Sequence, residues 1–129
     1  MKLNKVDHIA IICSNYELSK KFYTEILGLR VIREIFRKER DSWKCDLEVG
    51  DEYQIELFSF PHPPSRTSQP EACGLRHLAF EVDNLDAVIA ELEAHGVKVE
   101  PMRHDETREG KRVSFFADPD GLPLEICEK

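Results

Sequence analysis

The sequence has no apolar run that approaches the roughly 20 residues of a membrane-spanning helix. Its first residues, 1–5, also lack the apolar core of a secretory signal peptide. Only four cysteines are present, and no two of them form a Cys-x-x-Cys pair. We interpret these cysteines as reduced thiols, which favours a cytoplasmic protein.

Positive charge is scarce as well. The 129 residues include 18 Lys and Arg against 25 Asp and Glu, which gives a formal net charge of −7 at pH 7. Sequence-independent binding of nucleic acid depends on neutralising phosphates, so this charge balance makes the chain a poor candidate for it. With 33% charged and 41% hydrophobic residues, the chain is predicted to be one soluble globular domain, residues 1–129, with a sizeable core.

Two stretches of the sequence share one design, residues 5–12 and 75–82. Each is predicted to be a β-strand with a histidine on one face and large apolar residues on the other. His8 and His77 occupy the same place in the two stretches. The difference between their residue numbers is called the repeat offset below. An alanine follows each histidine by two positions and shares its face, because side chains alternate along a strand. The common design indicates two copies of one module.

The rest of each module is predicted to be a helix followed by three strands. The first helix begins with a capping box at Ser14 and Glu17 and ends at Gly28. The second begins at Asp83, one repeat offset after Ser14, and ends at Gly96. Further strands are predicted at 29–36, 43–49, 53–58, from 97 onwards, at 113–117 and at 123–127, with a charged loop at 103–111. This order predicts an α+β fold of two tandem modules with pseudo-two-fold symmetry, mixed sheets and outer helices.

A proline-rich segment separates the two modules. Its four prolines forbid a regular hydrogen-bonded ladder, so residues 61–74 are predicted to be a surface linker. The first module then covers about residues 5–60 and the second about residues 75–129.

Two glutamates obey the same offset as the histidines. Glu56 and Glu125 are one repeat offset apart, so each follows the histidine of its own module by the same interval. The apolar residues next to each histidine and each glutamate point to the opposite face of the strand, toward the core. Both histidines and both glutamates are therefore expected on the faces that point away from the core. A strand histidine is more often structural, a glutamate between apolar residues is usually solvent-facing, and the repeat could be a duplication without a metal. The single offset shared by all four residues favours a common site.

A divalent cation would reconcile these four groups. Carboxylates that converge in a concavity repel each other unless they are neutralised. Two imidazole nitrogens and two carboxylate oxygens suit Zn²⁺, Ni²⁺, Co²⁺ or Fe²⁺ and leave room for water or substrate. We therefore predict a metal site with the ligands His8, Glu56, His77 and Glu125.

Other candidates have weaker support. Cys127 shares a face with Glu125 and could border the site, although a small core residue is the plainer interpretation. A basic cluster could steer an anionic substrate, or could simply be a solvated face; it comprises Arg30, Arg33, Arg37, Lys38 and Arg40. No individual substrate-binding residue is identified.

The quoted residues, with a few further motifs, resemble the vicinal oxygen chelate superfamily, in particular its glyoxalase I-like (lactoylglutathione lyase-like) branch. The resemblance covers nearly the whole chain. It rests on Val6–Ala10, Phe22–Leu29, Gln54–Leu57, Arg76–Phe80, Asp118–Gly121 and Leu124–Ile126. It implies paired βαβββ modules with a divalent metal in the cleft between them, and commonly a homodimer. The His/Glu/His/Glu set matches glyoxalase I, whereas related dioxygenases use two histidines and one glutamate, and epimerases usually have glutamine at the position of Glu56.

The resemblance implies a metal-dependent lyase or isomerase acting on a 2-oxoaldehyde–thiol hemithioacetal, or a similar small vicinal-oxygen substrate, through an ene-diolate. Glu56 or Glu125 would be the catalytic base. The alternatives are another metalloenzyme of the superfamily (a dioxygenase, epimerase or thiol transferase) and a non-catalytic small-molecule-binding protein. The arginine and asparagine that often anchor glutathione are replaced by Ile12 and by Phe60 or its neighbours. This departure puts glutathione in doubt more than it does the metal chemistry.

Overall fold

The computed structural model describes all residues, 1–129. The chain divides into two compact units, Met1–Ser65 and Arg66–Lys129. Each unit contains one helix and one four-stranded mixed sheet, which confirms the predicted α+β architecture of tandem βαβββ modules. No helix combines the length and the apolar character that a membrane crossing would require.

The first unit has the sheet order β1-β4-β3-β2. Strands β1 and β4 are parallel, and the other neighbours are antiparallel. Its elements are β1 (His8–Cys13), α1 (Tyr16–Lys21) continued by a π-helical turn (Phe22–Ile26), β2 (Arg30–Arg37), β3 (Ser42–Val49) and β4 (Tyr53–Ser59).

The second unit repeats this topology, with the sheet order β5-β8-β7-β6. Strands β5 and β8 are parallel, and β8–β7 and β7–β6 are antiparallel. Its elements are β5 (Leu78–Val82), α2 (Leu85–Ala94), β6 (Arg103–Asp105), β7 (Lys111–Ala117) and β8 (Pro123–Glu128).

Both helices begin one residue later than predicted. The N-caps are asparagines, Asn15 and Asn84, rather than Ser14 and Asp83. The backbone N–H of Leu18 donates to Asn15 Oδ1 at 3.1 Å, and that of Ala87 donates to Asn84 Oδ1 at 2.9 Å. An asparagine in the extended region supplies the acceptor that the free amides of a first turn need. The prediction was wrong about the capping residues, but Asn15 and Asn84 keep the repeat offset.

The first helix ends as predicted. Gly28 has a φ of +72°, a left-handed conformation that glycine adopts without a Cβ penalty. The Leu29 N–H donates to the Tyr23 carbonyl at 3.0 Å, which closes the last turn before β2 begins.

The strand predicted from residue 97 onwards was wrong. Residues 97–100 lie outside the sheet, although the Glu100 N–H donates to the Phe115 carbonyl at 2.7 Å. Pro101 follows at once and has no N–H to continue a ladder, so pairing stops there. The fourth strand of the unit is instead β6, inside the segment predicted to be a charged loop. Similarly, β5 begins at Leu78 rather than at residue 75.

The cores lie on the predicted faces of the central strands. In the first unit Ile11, Ile55 and Leu57 are buried, and in the second Leu124 and Ile126 are buried. Each helix adds apolar side chains to the core of its own unit, notably Phe22, Tyr23, Leu85 and Leu92. Removing these groups from water stabilises each unit and leaves the alternate face of each central strand for polar side chains.

Candidate functional site

In the first unit, strand pairing brings His8 and Glu56 together. Ala10 of β1 lies opposite Glu56 of β4 in the parallel register, so His8, two positions earlier, shares the face of the glutamate. His8 Nε2 lies 3.5 Å from Glu56 Oε2. The histidine is partly exposed and the carboxylate is half-buried.

The second unit repeats this pair. Ala79 of β5 lies opposite Glu125 of β8, and His77 Nε2 lies 2.9 Å from Glu125 Oε2. His77 immediately precedes β5 rather than lying within it. Glu125 is 8% exposed, so its carboxylate is one of the few buried charges in the unit.

The four predicted ligands are thus present as two pairs, one in each unit. No group of three or more His, Cys, Asp or Glu side chains that could hold a metal ion occurs in the structure. A single site that contains all four ligands therefore stays a prediction.

A carboxylate orients the first histidine. Asp7 Oδ2 lies 2.8 Å from His8 Nδ1, and the two groups form a hydrogen bond. This hydrogen bond raises the pKa of His8, and the nearby charge of Glu56 raises it further. With Nδ1 engaged by Asp7, Nε2 is the nitrogen that faces Glu56. A histidine that donates one ring nitrogen to a carboxylate has the other available as a metal ligand.

The sequence interpretation missed Lys44, which belongs to the neighbouring strand β3. Its Nζ lies 3.1 Å from Glu56 Oε1 and 2.8 Å from Asp46 Oδ1. Asp46 is 1% exposed and also accepts a hydrogen bond from Arg33 at 3.0 Å. Burial acts to lower the pKa of Lys44, but its hydrogen bonds to the two carboxylates outweigh burial and raise it. Lys44 therefore stays charged and holds Glu56 in place.

Glu125 has a different neighbour, the thiol of Cys127. Cys127 Sγ donates to Glu125 Oε1 at 3.2 Å, so this cysteine does border the candidate site. Burial and the contact with Glu125 raise the pKa of Cys127 to about 11, which keeps the thiol protonated at neutral pH. The protonated thiol is therefore a hydrogen-bond donor to the carboxylate.

The second unit also contains a cavity of about 450 Å³ beside His77. Its walls come from four parts of the unit: the loop that includes Arg66 and Arg76, the segment that includes Lys98, Glu100 and Arg103, the end of β7, and Pro123 at the start of β8. The Phe115 ring meets the His77 ring edge to face, with 5.3 Å between the ring centroids. The pocket therefore opens beside the His77–Glu125 pair.

The proline-rich segment contributes more than a connection. Residues 61–74 contain neither helix nor strand, as predicted, but the part from Arg66 onwards lines the cavity. Arg66 Nη2 donates to the carbonyls of Leu75 and Arg76 at 2.7 and 2.9 Å, which closes this segment into a loop. No sequence pattern indicates this role of Arg66, because its partners are backbone carbonyls.

The three arginines of the basic cluster that lie on β2 have local partners. Arg30 pairs with Glu48 at 2.8 Å, and Arg33 pairs with Asp46. The guanidinium of Arg37 lies over the ring of Phe58, 4.9 Å from its centroid. These contacts within the first unit favour the solvated-face interpretation over the steering of a substrate.

The fold and the paired sites define a class of protein: tandem βαβββ modules that each carry a histidine and a glutamate on the polar face of the sheet. Residues 5–126 match the Glyoxalase/Bleomycin resistance protein/Dioxygenase superfamily, and the chain belongs to this family. The uncharacterized protein YaeR of Escherichia coli (strain K12) is 58% identical over 98% of each chain. A crystal structure of a glyoxalase family protein from Enterococcus faecalis, 47% identical, matches 99% of this chain and 100% of its own, with a TM-score of 0.91.

More distant relatives carry the names of enzymes. A probable lactoylglutathione lyase of Vibrio parahaemolyticus is 25% identical over 99% of this chain and 93% of its own. The structure of the trypanothione-dependent glyoxalase I of Leishmania major is 28% identical, with a TM-score of 0.76, over 98% of this chain and 87% of its own. A 2-epi-5-epi-valiolone epimerase of Actinomyces is 28% identical over 94% of this chain and 77% of its own.

Proposed function

We propose that this protein is a metal-dependent glyoxalase-like lyase or isomerase. Its substrate would be a 2-oxoaldehyde–thiol hemithioacetal or a similar small molecule with two neighbouring oxygens, and the reaction would proceed through an ene-diolate. The observation that carries this proposal is the repeated pairing of a histidine with a glutamate at equivalent positions of the two units, His8 with Glu56 and His77 with Glu125.

The donor atoms of these pairs suit a divalent metal. Two imidazole nitrogens and two carboxylates form the kind of ligand set that Zn²⁺, Ni²⁺, Co²⁺ and Fe²⁺ accept. The half-buried Glu56 and the buried Glu125 would each gain from a cation, because a charge removed from water needs a partner. We propose His8, Glu56, His77 and Glu125 as the ligands. When bound, the metal would supply Lewis acidity to the two substrate oxygens.

The residues of the chain would orient the substrate and move the proton. Lys44 restrains Glu56 through a contact of 3.1 Å, whereas the thiol of Cys127 is the hydrogen-bond donor to Glu125. A base that carries a proton between two neighbouring carbons has to shift its position, and the ammonium of Lys44 restrains Glu56 from doing so. We therefore assign Glu125 as the base that takes the proton from one carbon and returns it to the next, and Glu56 as the fixed partner.

The enzyme-named relatives support this reaction class. Lactoylglutathione lyases and a trypanothione-dependent glyoxalase I are among them, so the thiol partner differs between members. Here Ile12 and Phe60 stand where glutathione anchors would be expected, which favours a thiol other than glutathione.

An epimerase is the second candidate. The similarity to the valiolone epimerase of Actinomyces favours it specifically. Epimerisation beside a carbonyl begins with the same removal of a proton from carbon, so the same glutamate would serve both reactions. The two reactions differ in their products. Epimerisation would exchange the proton on carbon with solvent and leave the carbon skeleton and the oxidation state of each carbon unchanged. Isomerisation of a hemithioacetal would change the oxidation states of two neighbouring carbons.

The test is metal analysis combined with turnover. The purified chain should hold about one metal ion per proposed ligand set, and the variants His8→Ala and His77→Ala should lose it. Glu125→Gln should abolish conversion of methylglyoxal–thiol adducts across a panel of thiols while the protein still folds. His104→Ala, at an exposed histidine outside both pairs, is the matched control and should retain metal and turnover.

Sedimentation of the same samples tests the proposed homodimer. Stoichiometric metal without turnover on any thiol adduct would move the assignment to an epimerase or another metalloenzyme of the superfamily. A chain that takes up neither Ni²⁺, Co²⁺ nor Zn²⁺ would contradict the proposal and leave a non-catalytic binding protein.

A further inference from the structure

We infer that the cavity of the second unit is a subsite for an anionic group of the substrate, a carboxylate or a phosphate. Arg103 and Lys98 would bind the anion, and Phe115 would pack against the apolar part of the molecule. This inference adds a substrate class to the proposed function. It rests on the proposed function in one respect, namely that the reactive end of the substrate lies near His77.

The charges of the cavity wall point to an anion. Four cationic side chains (Arg66, Arg76, Lys98 and Arg103) line it, against two carboxylates (Glu71 and Glu100). Its net positive charge contrasts with the −7 of the whole chain. A concave surface of one sign concentrates ligands of the opposite sign.

Two of the four cations are already engaged. Arg66 donates to backbone carbonyls, and Arg76 Nη1 lies 3.5 Å from Glu71. Lys98 and Arg103 form no salt bridge, and both are exposed on the cavity wall. They are therefore the two positive charges on the wall without an ion-pair partner; of the wall carboxylates only Glu100 is likewise unpaired, and Asp105, next but one to Arg103 in β6, adds a weaker electrostatic interaction from outside the wall.

Arg103 is held in an orientation that suits a bidentate ligand. Its guanidinium lies over the Phe115 ring, 4.9 Å from the centroid. A cation–π contact of this kind fixes the plane of the guanidinium but leaves its N–H groups free at the edge, where a carboxylate or phosphate binds with two hydrogen bonds.

One aromatic ring connects this cation with the candidate metal-binding pair. Phe115 contacts Arg103 through its face and meets the His77 ring edge to face at 5.3 Å. A small molecule could therefore lie along Phe115 with its anion at Arg103 and its reactive oxygens toward His77. The volume of about 450 Å³ suits such a ligand, since pockets for small molecules are typically about 300–1,000 Å³.

The loop that forms another wall of the cavity is held in place before any ligand binds. Arg66 closes the loop onto the carbonyls of Leu75 and Arg76, and Ser68 Oγ donates to the Gly121 carbonyl at 3.1 Å. A preformed wall reduces the ordering cost of binding. We therefore assign the substrate to the class of small acids that carry two neighbouring oxygens and one carboxylate or phosphate.

The test is a titration of the full chain with anions, with and without added metal. Binding is measured from the shifts of ¹⁵N-resolved NMR signals. The probes are inorganic phosphate and, separately, lactate. We expect saturable shifts at Lys98, Arg103 and Phe115 for at least one of them in the metal-free protein. Arg103→Gln should weaken binding about tenfold and Lys98→Gln several-fold, since each removes one cation, and Arg103→Lys should recover part of the loss.

The control is Lys111→Gln, which removes an equal charge in the same unit but away from the cavity wall, and it should not change the affinity. Saturation by phosphate alone or by lactate alone identifies the anion. No saturable shift at Arg103 with either probe overturns the subsite, even if thiol adducts are turned over. Anion binding without turnover or metal uptake upholds the subsite and contradicts only the proposed function.

Discussion

The ammonium of Lys44 joins Glu56 to the buried Asp46, with Nζ 3.1 Å from the first carboxylate and 2.8 Å from the second. In the second unit the positions equivalent to Lys44 and Asp46 in the repeat hold Val113 and Phe115, so Glu125 has no corresponding lysine. Two glutamates that are equivalent in the repeat therefore have different electrostatic environments, one beside a cation and one beside a protonated thiol.

Replacing Lys44 by methionine tests this network through stability. The Lys44→Met variant keeps the length of the apolar stem but removes a charged hydrogen-bond donor from two carboxylates, one of which is 1% exposed. We expect the free energy of unfolding, measured in urea, to fall by about 1–3 kcal/mol. Lys21→Met, at an exposed helical position, is the control and should change it by less than about 0.5 kcal/mol. Equal effects of the two substitutions would show that the bridge does not stabilise the unit.

Asp46 gives a prediction for pH dependence. Burial acts to raise the pKa of its carboxyl, but hydrogen bonds from Lys44 and Arg33 outweigh burial, so the pKa lies below the ordinary 3.8. A depressed folded-state pKa stabilises the protein above the unfolded value, and this stabilisation is lost as the pH falls through the folded-state pKa. Asp46→Asn should therefore destabilise the chain at pH 7 by about 1.5–3 kcal/mol.

The same comparison at pH values below 3.8 should show a smaller difference, because the carboxyl of the unfolded wild-type chain takes up a proton there, and this lowers the free energy of unfolding of the wild type. Urea unfolding at both pH values measures it, with Asp51→Asn in an exposed turn as the control. A difference between wild type and Asp46→Asn that stays constant down to pH 2 would contradict the pKa assignment.

Periodicity and repetition were sufficient to predict most of the fold. A strand fixes its faces by alternation alone, so the sequence could assign His8 and Glu56 to the polar face, and the parallel pairing of β1 with β4 then brings them together. Because His77 and Glu125 are one repeat offset after His8 and Glu56, the sequence assigned them to the polar face of the second unit for the same reason. Helix ends depend on finer chemistry, and an acceptor one residue later, Asn15 or Asn84, replaced the predicted cap.

The missed site residues share a physical reason. Lys44 and Arg103 reach the two sites from strands β3 and β6. Alternation can assign a side chain to a face of its strand, but which residues lie beside it on the next strand depends on a register that no local pattern encodes. Arg66 acts through backbone carbonyls of its own loop, which composition cannot reveal. Long-range register and loop closure are therefore what the structure adds to the sequence.

The capping asparagines give a prediction about the second helix. Asn84→Ala removes the acceptor for the Ala87 N–H and should cost about 1 kcal/mol of unfolding free energy. Asp83→Ala changes the residue that the sequence pattern favoured, which is exposed and is not the N-cap, so it should cost much less. Thermal or urea unfolding of the two variants measures the difference. A larger loss for Asp83→Ala would restore the cap predicted from sequence.

The loop beside His77 gives a prediction about local dynamics. Arg66 donates from Nη2 to the carbonyls of Leu75 and Arg76 and from Nε to Ser68 Oγ at 2.9 Å. Arg66→Gln removes these contacts, so amides of residues 66–77 should exchange with solvent several times faster, while the exposed position leaves global stability within about 0.5 kcal/mol. Arg76→Gln, which removes only the exposed pair with Glu71, is the control. Hydrogen–deuterium exchange followed by mass spectrometry measures both variants. Exchange in this segment that does not change in Arg66→Gln would show that the arginine does not hold the loop.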